Sequence, residues 1–197
     1  MSATAPRPRL DADARRQAVL DAACEVFARS SYRGATTAEI SREAGITEPI
    51  LYRHFPSKRD LYLACMDMAW QSFRDTAGEA LAADPHGCLG AITDAYLAKR
   101  ARLRLVDLWI QGLNEASADE VIAGAVRDQI RDVHAFFVGV IEQGQAAGTI
   151  QRDRDAVAEA WLFLAGGLLA TMDDRLGGLL GRDIERVRAS RRAWMLV

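Results

Sequence analysis

Apolar residues recur along the chain at intervals of three and four. They nowhere show the period of two that a half-buried strand needs, so the pattern predicts an all-α protein. Over residues 13–29, Val19, Ala23, Val26 and Phe27 share one face, with Arg15, Arg16, Asp21 and Glu25 elsewhere. This is a first amphipathic helix, stopped by the break over 30–34. Thr36 followed by Glu39 has the spacing of a capping box, in which hydroxyl and carboxylate reciprocally satisfy free backbone amides. A short second helix starts there, buries Ile40 and Ala44, and ends at Gly45, which accepts the left-handed conformation. After Ile46, Thr47 supplies another N-cap oxygen, and Pro49 in the first turn costs no hydrogen bond. The third helix runs to about His54 and is closed by Phe55 and Pro56. Ser57 with Asp60 then caps a fourth, whose buried face is Leu61, Ala64 or Cys65, and Met68.

Residues 85–87 interrupt the fourth helix, and further breaks near 116–117, at Gly148 and over 177–181 leave room for five more, about nine in total. In the segment 100–115, a polar stripe of Arg100, Arg104, Asp107, Gln111 and Asn114 opposes Leu105, Trp109 and Leu113. It is read as a solvated face, or else as the polar anchors of a pocket. From about Asp119, Ile122, Val126, Ile130, Val133, Phe137 and Val140 form a core stripe. Met66, Trp70, Phe73, Trp109, Phe136 and Phe137 are candidates to line an apolar ligand pocket, with His134 to orient a ligand; core packing explains them equally well. The last two helices, about 154–175 and 182–196, carry Trp161, Leu164, Leu168, Met172, Val187 and Trp194. The small residues Ala160, Gly166, Gly167 and Ala170 lie among them. Such an apolar face calls for a partner.

Composition narrows the function. The 197 residues carry a net charge of −2, so bulk charge does not make this a nucleic-acid coat. The first 60 residues nevertheless hold ten Lys or Arg against eight Asp or Glu, which places any anion-binding site in the first third. Lys58 and Lys99 are the only lysines among many arginines. The longest charge-free run of the C-terminal half, 160–172, is too short to cross a bilayer, and residues 1–16 have no apolar run of the secretory kind. No membrane association is expected, and a cytoplasmic location is. Cys24, Cys65 and Cys88 suit small buried residues in a reducing compartment better than disulfides or a metal. His54, His86 and His134 form no metal-ligand spacing beyond a weak His86-x-Cys88. No phosphate-cradling loop or nucleophile elbow is present, and the adjacent Asp173 and Asp174 point apart on a helix. Neither an enzyme nor a cofactor or metal is expected.

Two short helices on a glycine turn, the second starting with the polar or exposed set Thr47, Glu48, Pro49 and Arg53, form a helix-turn-helix. The segments Gly34-Ala-Thr-Thr-Ala-Glu-Ile-Ser-Arg-Glu-Ala-Gly45, Ile46-Thr-Glu-Pro-Ile-Leu-Tyr-Arg-His-Phe55 and Lys58-Arg-Asp-Leu61 resemble the DNA-binding domain of the tetracycline-repressor (TetR) family of bacterial transcription regulators. The resemblance covers about residues 16–63; the rest is similar in length and helical character only. It implies a flexible arm over 1–12, a three-helix DNA-binding domain over 13–60, and a helical effector-binding and dimerisation domain over 61–197.

DNA contacts follow by residue. Thr36 and Thr37 stand beside the exposed amides of the second helix, where a phosphate is favoured. Tyr52, His54 and Lys58 reach flanking phosphates in the family resembled. Thr47, Glu48, Pro49, Ile50 and Arg53 are candidates for the major groove, where Arg53 can pair with guanine and Pro49 or Ile50 can meet a thymine methyl. Glu48 either accepts from cytosine or only complements the helix dipole. Arg7 and Arg9 either follow the minor groove or belong to a disordered tail. The resemblance implies a homodimer on a palindromic double-stranded operator, acting as a repressor released by a small apolar effector that alters the fourth helix. The alternative is a DNA-binding regulator whose C-terminal domain only dimerises or binds a protein partner.

Overall fold

The computed structural model describes residues 12–84 and 86–195, with backbone alone at 12, 100–103 and 194–195. Arg7, Arg9 and the side chain of Trp194 therefore lie outside the described residues. The protein is all-α. Among the described residues the helices are α1 (Ala12–Arg29), α2 (Thr37–Ala44), α3 (Glu48–His54), α4 (Lys58–Ala83), α5 (Cys88–Leu103), α6 (Leu105–Glu115), α7 (Glu120–Ala147), α8 (Ala156–Arg175) and α9 (Asp183–Met195). The chain divides into two compact units after Met68, inside α4, rather than at residue 60. The cause is that the first turns of α4 bury Leu61, Tyr62 and Cys65 in the first unit's core.

In the first unit, Val19, Ala23, Val26 and Phe27 of α1 are fully buried, as their spacing requires, and meet Ile40 of α2, Leu51 of α3 and Leu61 of α4 in one core. Each such large side chain contributes roughly 1.5–3 kcal/mol by leaving water. Phe27, Tyr32 and Tyr62 form an aromatic triangle, with ring centroids 5.0–5.9 Å apart. Thr36 caps α2 by accepting from the Glu39 amide at 3.1 Å. The box is only half formed, because the Glu39 carboxylate turns to Arg29 at 2.9 Å instead. Arg29 also grips Glu43 at 2.5 Å, tying the end of α1 to α2. The two carboxylates raise the Arg29 pKa above its ordinary value, and the guanidinium holds the Glu43 carboxyl below its own. Gly45 ends α2 at φ 69°, a conformation that a Cβ would strain. Ser57 accepts from the Asp60 amide at 3.1 Å and donates to its carboxylate at 2.7 Å, capping α4 as its spacing predicts.

In the second unit α7 is central. Asp119 caps it through the amides of Val121 and Ile122, and Ile122, Val126, Val133, Phe137 and Val140 are buried. Ile130 is only half-buried; its neighbour Gln129 goes inward instead, accepting from the Trp109 indole at 2.6 Å. The segment 100–115 is not one helix. Arg104 sits at φ 52° and separates α5 from α6. The polar stripe expected there dissolves accordingly: Gln111 is buried, Asp107 pairs with Arg175 at 2.7 Å, and Leu113 is exposed. Gly144 lets the chain return closely, since a Cβ there would stand 2.7 Å from Ile150 Cδ1. Cys24, Cys65 and Cys88 are buried, reduced thiols, and burial pushes the Cys65 thiol upward.

By length and composition α8 is apolar enough to cross a membrane, a property that the strict charge-free count over 160–172 missed because the helix's few charges lie near its ends. One of them, Glu159, is buried against Arg191 at 2.6 Å.

Candidate nucleic-acid interface and ligand cavity

Thr47 takes the extended N-cap backbone of α3 but makes no side-chain cap bond. Its hydroxyl is exposed together with Pro49, Tyr52 and Arg53, while Leu51 alone of the helix is fully buried. Glu48, Ile50 and His54 are half-buried. What orients this helix is a polar relay that spacing alone did not reveal. The Thr37 hydroxyl donates to the Glu48 carboxylate at 2.6 Å. It lies 3.2 Å from the Tyr52 hydroxyl. A threonine has one proton to give, so Tyr52 must be the donor of that second bond. Glu48 and Tyr52, one turn apart on α3, are thus both held to the start of α2. This gives Glu48 a partner inside the head.

Lys58 also faces inward in part. Its ammonium donates to the carbonyls of Tyr32 at 3.0 Å and Ala35 at 3.2 Å, and lies 4.7 Å from the Tyr32 ring centroid. Two of its three protons stitch the α1–α2 connection to the start of α4, which leaves one for any phosphate.

The second unit contains a cavity of about 200 Å³. Of the residues expected there, Phe73, Trp109 and Phe137 line it. Trp70 and Phe136 pack against Phe73, at centroid distances of 5.6 and 6.1 Å, without lining the wall. Met66 is buried within the first unit, and His134 is engaged elsewhere, stacking on Trp161 at 4.1 Å with its Nε2 3.0 Å from the Val157 carbonyl. Sequence reasoning missed Tyr96, Phe163, Arg188 and Arg191 on the wall. The i, i+4 pair Ile92 and Tyr96 was the available signal; the arginines of α9 gave none, since only tertiary packing brings them there. Among the described residues no group of three or more His, Cys, Asp or Glu is placed to hold a metal.

The outer side of α8 is apolar and uncovered. Trp161, Leu168 and Met172 are exposed by 46%, 37% and 49%, continuing into Leu176 and Leu179. Leu164 is half-buried, and Val187, exposed by 40%, also borders the cavity.

Residues 19–65 match the family model described as bacterial regulatory proteins, tetR family. The transcriptional activator FasR of Mycolicibacterium smegmatis is 48% identical over 58 residues, which is 29% of this chain and 26% of that protein; the chain thus spans about a quarter of that relative's length. The transcriptional repressor KstR2 of Rhodococcus jostii is 28% identical over 157 residues, covering 76% of this chain and 74% of that one. A transcriptional regulator from Saccharomonospora viridis, solved with choline, superposes with a TM-score of 0.75 at 22% identity, covering 92% of this chain and 97% of that one, and so shares the fold. Residues 19–65 thus match the tetR family of bacterial regulatory proteins, and the helices of the described residues share the fold of that solved regulator.

Proposed function

We propose that the protein is a dimeric transcription regulator in the cytoplasm that binds a palindromic DNA operator through α2 and α3 and is released by a small effector held in the second unit. The carrying observation is the start of α3. Thr47, Pro49 and Arg53 project into solvent from a helix whose orientation is fixed by the Glu48–Thr37–Tyr52 relay. A recognition helix needs such an edge, because base readout requires side chains free of internal partners on a rigid support. In this reading Arg53 pairs with guanine, while Thr47, Pro49 and Ile50 meet neighbouring base edges. Thr36, Thr37, Tyr52 and His54 border the phosphates, with Glu48 fixing the relay and Lys58 adding its charge.

The exposed apolar strip of α8 supports dimerisation, since a patch of this kind on a free chain is costly. Trp161, Leu164, Leu168, Met172 and Val187 are the residues assigned to it, and a twofold dimer then matches a twofold operator. The cavity supports an effector; a ligand pressing on Phe73 acts on α4, the helix that runs on from the DNA-binding head. Repression is favoured by the relative matched over most of its length, KstR2, named a repressor. Selection of bound sequences from random duplex DNA tests the reading. Recovery of an inverted repeat with half-sites about one helical turn apart is expected; recovery of no preferred sequence overturns it.

A further inference from the structure

We infer that the cavity of the second unit takes an amphipathic carboxylate, whose apolar body fills the aromatic chamber and whose head group meets Arg188 and Arg191. The inference rests on the effector reading above and assigns that site its ligand class.

Charge decides it. The wall is aromatic and aliphatic, and among its described residues the only charged ones are Arg188 and Arg191, three positions apart and hence on one face of α9. The rings of Phe73, Tyr96, Trp109 and Phe137 would by themselves suit a quaternary ammonium. A cation there would face two guanidiniums and no lining carboxylate, whereas a carboxylate gains from both. The present partner of Arg188 leaves room for it. Arg188 pairs at 2.6 Å with Glu185, which is 70% exposed, and an exposed pair of this kind is exchanged at little cost. Arg191 is held at 2.6 Å by the buried Glu159, which fixes the guanidinium in place on the wall.

The arginines also stand where the apolar chamber ends. A second hollow of about 220 Å³ shares Thr93, Leu97, Phe163, Arg188 and Arg191 with the first and adds Arg192, Asp94 and Glu185. An anionic head at this boundary keeps contact with water while the body is buried. Size follows from volume. An apolar cavity of about 150 Å³ holds benzene, so one of about 200 Å³ suits a body of roughly eight heavy atoms.

Octanoate, 1-octanol and octyltrimethylammonium carry unbranched bodies of seven or eight carbons and differ in the head. Calorimetry and thermal shift with the full-length protein are expected to show octanoate binding about tenfold or more tightly than octanol, with no shift from the cation. Arg188→Ala removes only a surface pair and is expected to fold normally. It should abolish octanoate's advantage while leaving octanol unchanged, and Arg188→Lys should restore part of it. Equal binding of octanol and octanoate, equal losses in Arg188→Ala, preference for the cation, or binding of none of the three overturns the inference. Operator affinity measured alongside separates it from the effector reading. Arginine-dependent octanoate binding that leaves DNA affinity unchanged sinks the effector reading and keeps the ligand class; release of DNA by octanol as readily as by octanoate does the reverse.

Discussion

Replacing Lys58 by alanine takes the donor from two backbone carbonyls, those of Tyr32 and Ala35, and a cation from the face of Tyr32. Hydrogen bonds from a charged donor contribute about 1.5–3 kcal/mol each when buried, and an exposed cation–π contact about 0.5–1 kcal/mol. Because Lys58 is half-buried, water recovers part of this, and a net loss of about 2 kcal/mol for the first unit follows. All four tryptophans lie beyond Met68, so indole fluorescence reports only the second unit. Amide hydrogen exchange at Val26, Phe27 and Ile40 reads the first unit directly, and about 30-fold faster exchange is expected there. Lys58→Met, which keeps the apolar stem, should lose nearly as much. The salt dependence of operator binding is the second readout. A lost phosphate contact lowers the slope of log affinity against log salt by about 0.9; the inward partners of Lys58 imply a change of less than about half that. A full drop in slope with unaltered exchange would refute the assignment of this ammonium to the two carbonyls.

Three further outcomes follow from the same geometry. The folded Glu43 pKa is held below its unfolded value by Arg29, so its stabilisation is present at neutral pH and is lost as pH falls through the ordinary carboxylate range toward the folded value. Glu43→Gln should flatten that part of the acid-unfolding profile, and an unchanged profile would contradict the pairing. Gln129→Leu strands the buried Trp109 indole N–H, for a loss of about 1–3 kcal/mol in urea unfolding followed by tryptophan fluorescence; an unshifted midpoint would count against that bond. Met172→Glu sets a charge in the exposed strip of α8 and should convert dimers to monomers by light scattering at micromolar concentration, with helicity by circular dichroism retained. A mass unchanged from wild type would move the interface elsewhere.

The helix-turn-helix could be read from the sequence because its determinants are local. Thr36, Gly45 and the Ser57–Asp60 pair act within a few residues of their own positions, and the α1 stripe from Val19 to Phe27 has a single inward face. What spacing left hidden depends on partners far along the chain. Glu39 was spaced for a reciprocal cap, but Arg29 offers a full positive charge and takes its carboxylate. Lys58, whose place in the resembled family is at a phosphate, donates to the carbonyls of Tyr32 and Ala35, residues 26 and 23 positions away. No glycine or proline marks the break at Arg104, which takes a left-handed conformation without a residue suited to it. At the cavity wall, Phe73, Trp109 and Phe137 carry an aromatic signal in the sequence, whereas Arg188 and Arg191 stand there only because α9 packs there.

The central claim is that the exposed edge of α3 reads base pairs. Its most direct measurement is sequence selection from random duplex DNA run in parallel with the wild-type chain and Arg53→Ala. Both are expected to recover the same inverted repeat and spacing, with the variant losing preference at one position in each half-site, a discrimination of about 1–3 kcal/mol. An identical preference at every position in both pools would show that α3 does not read the operator through Arg53.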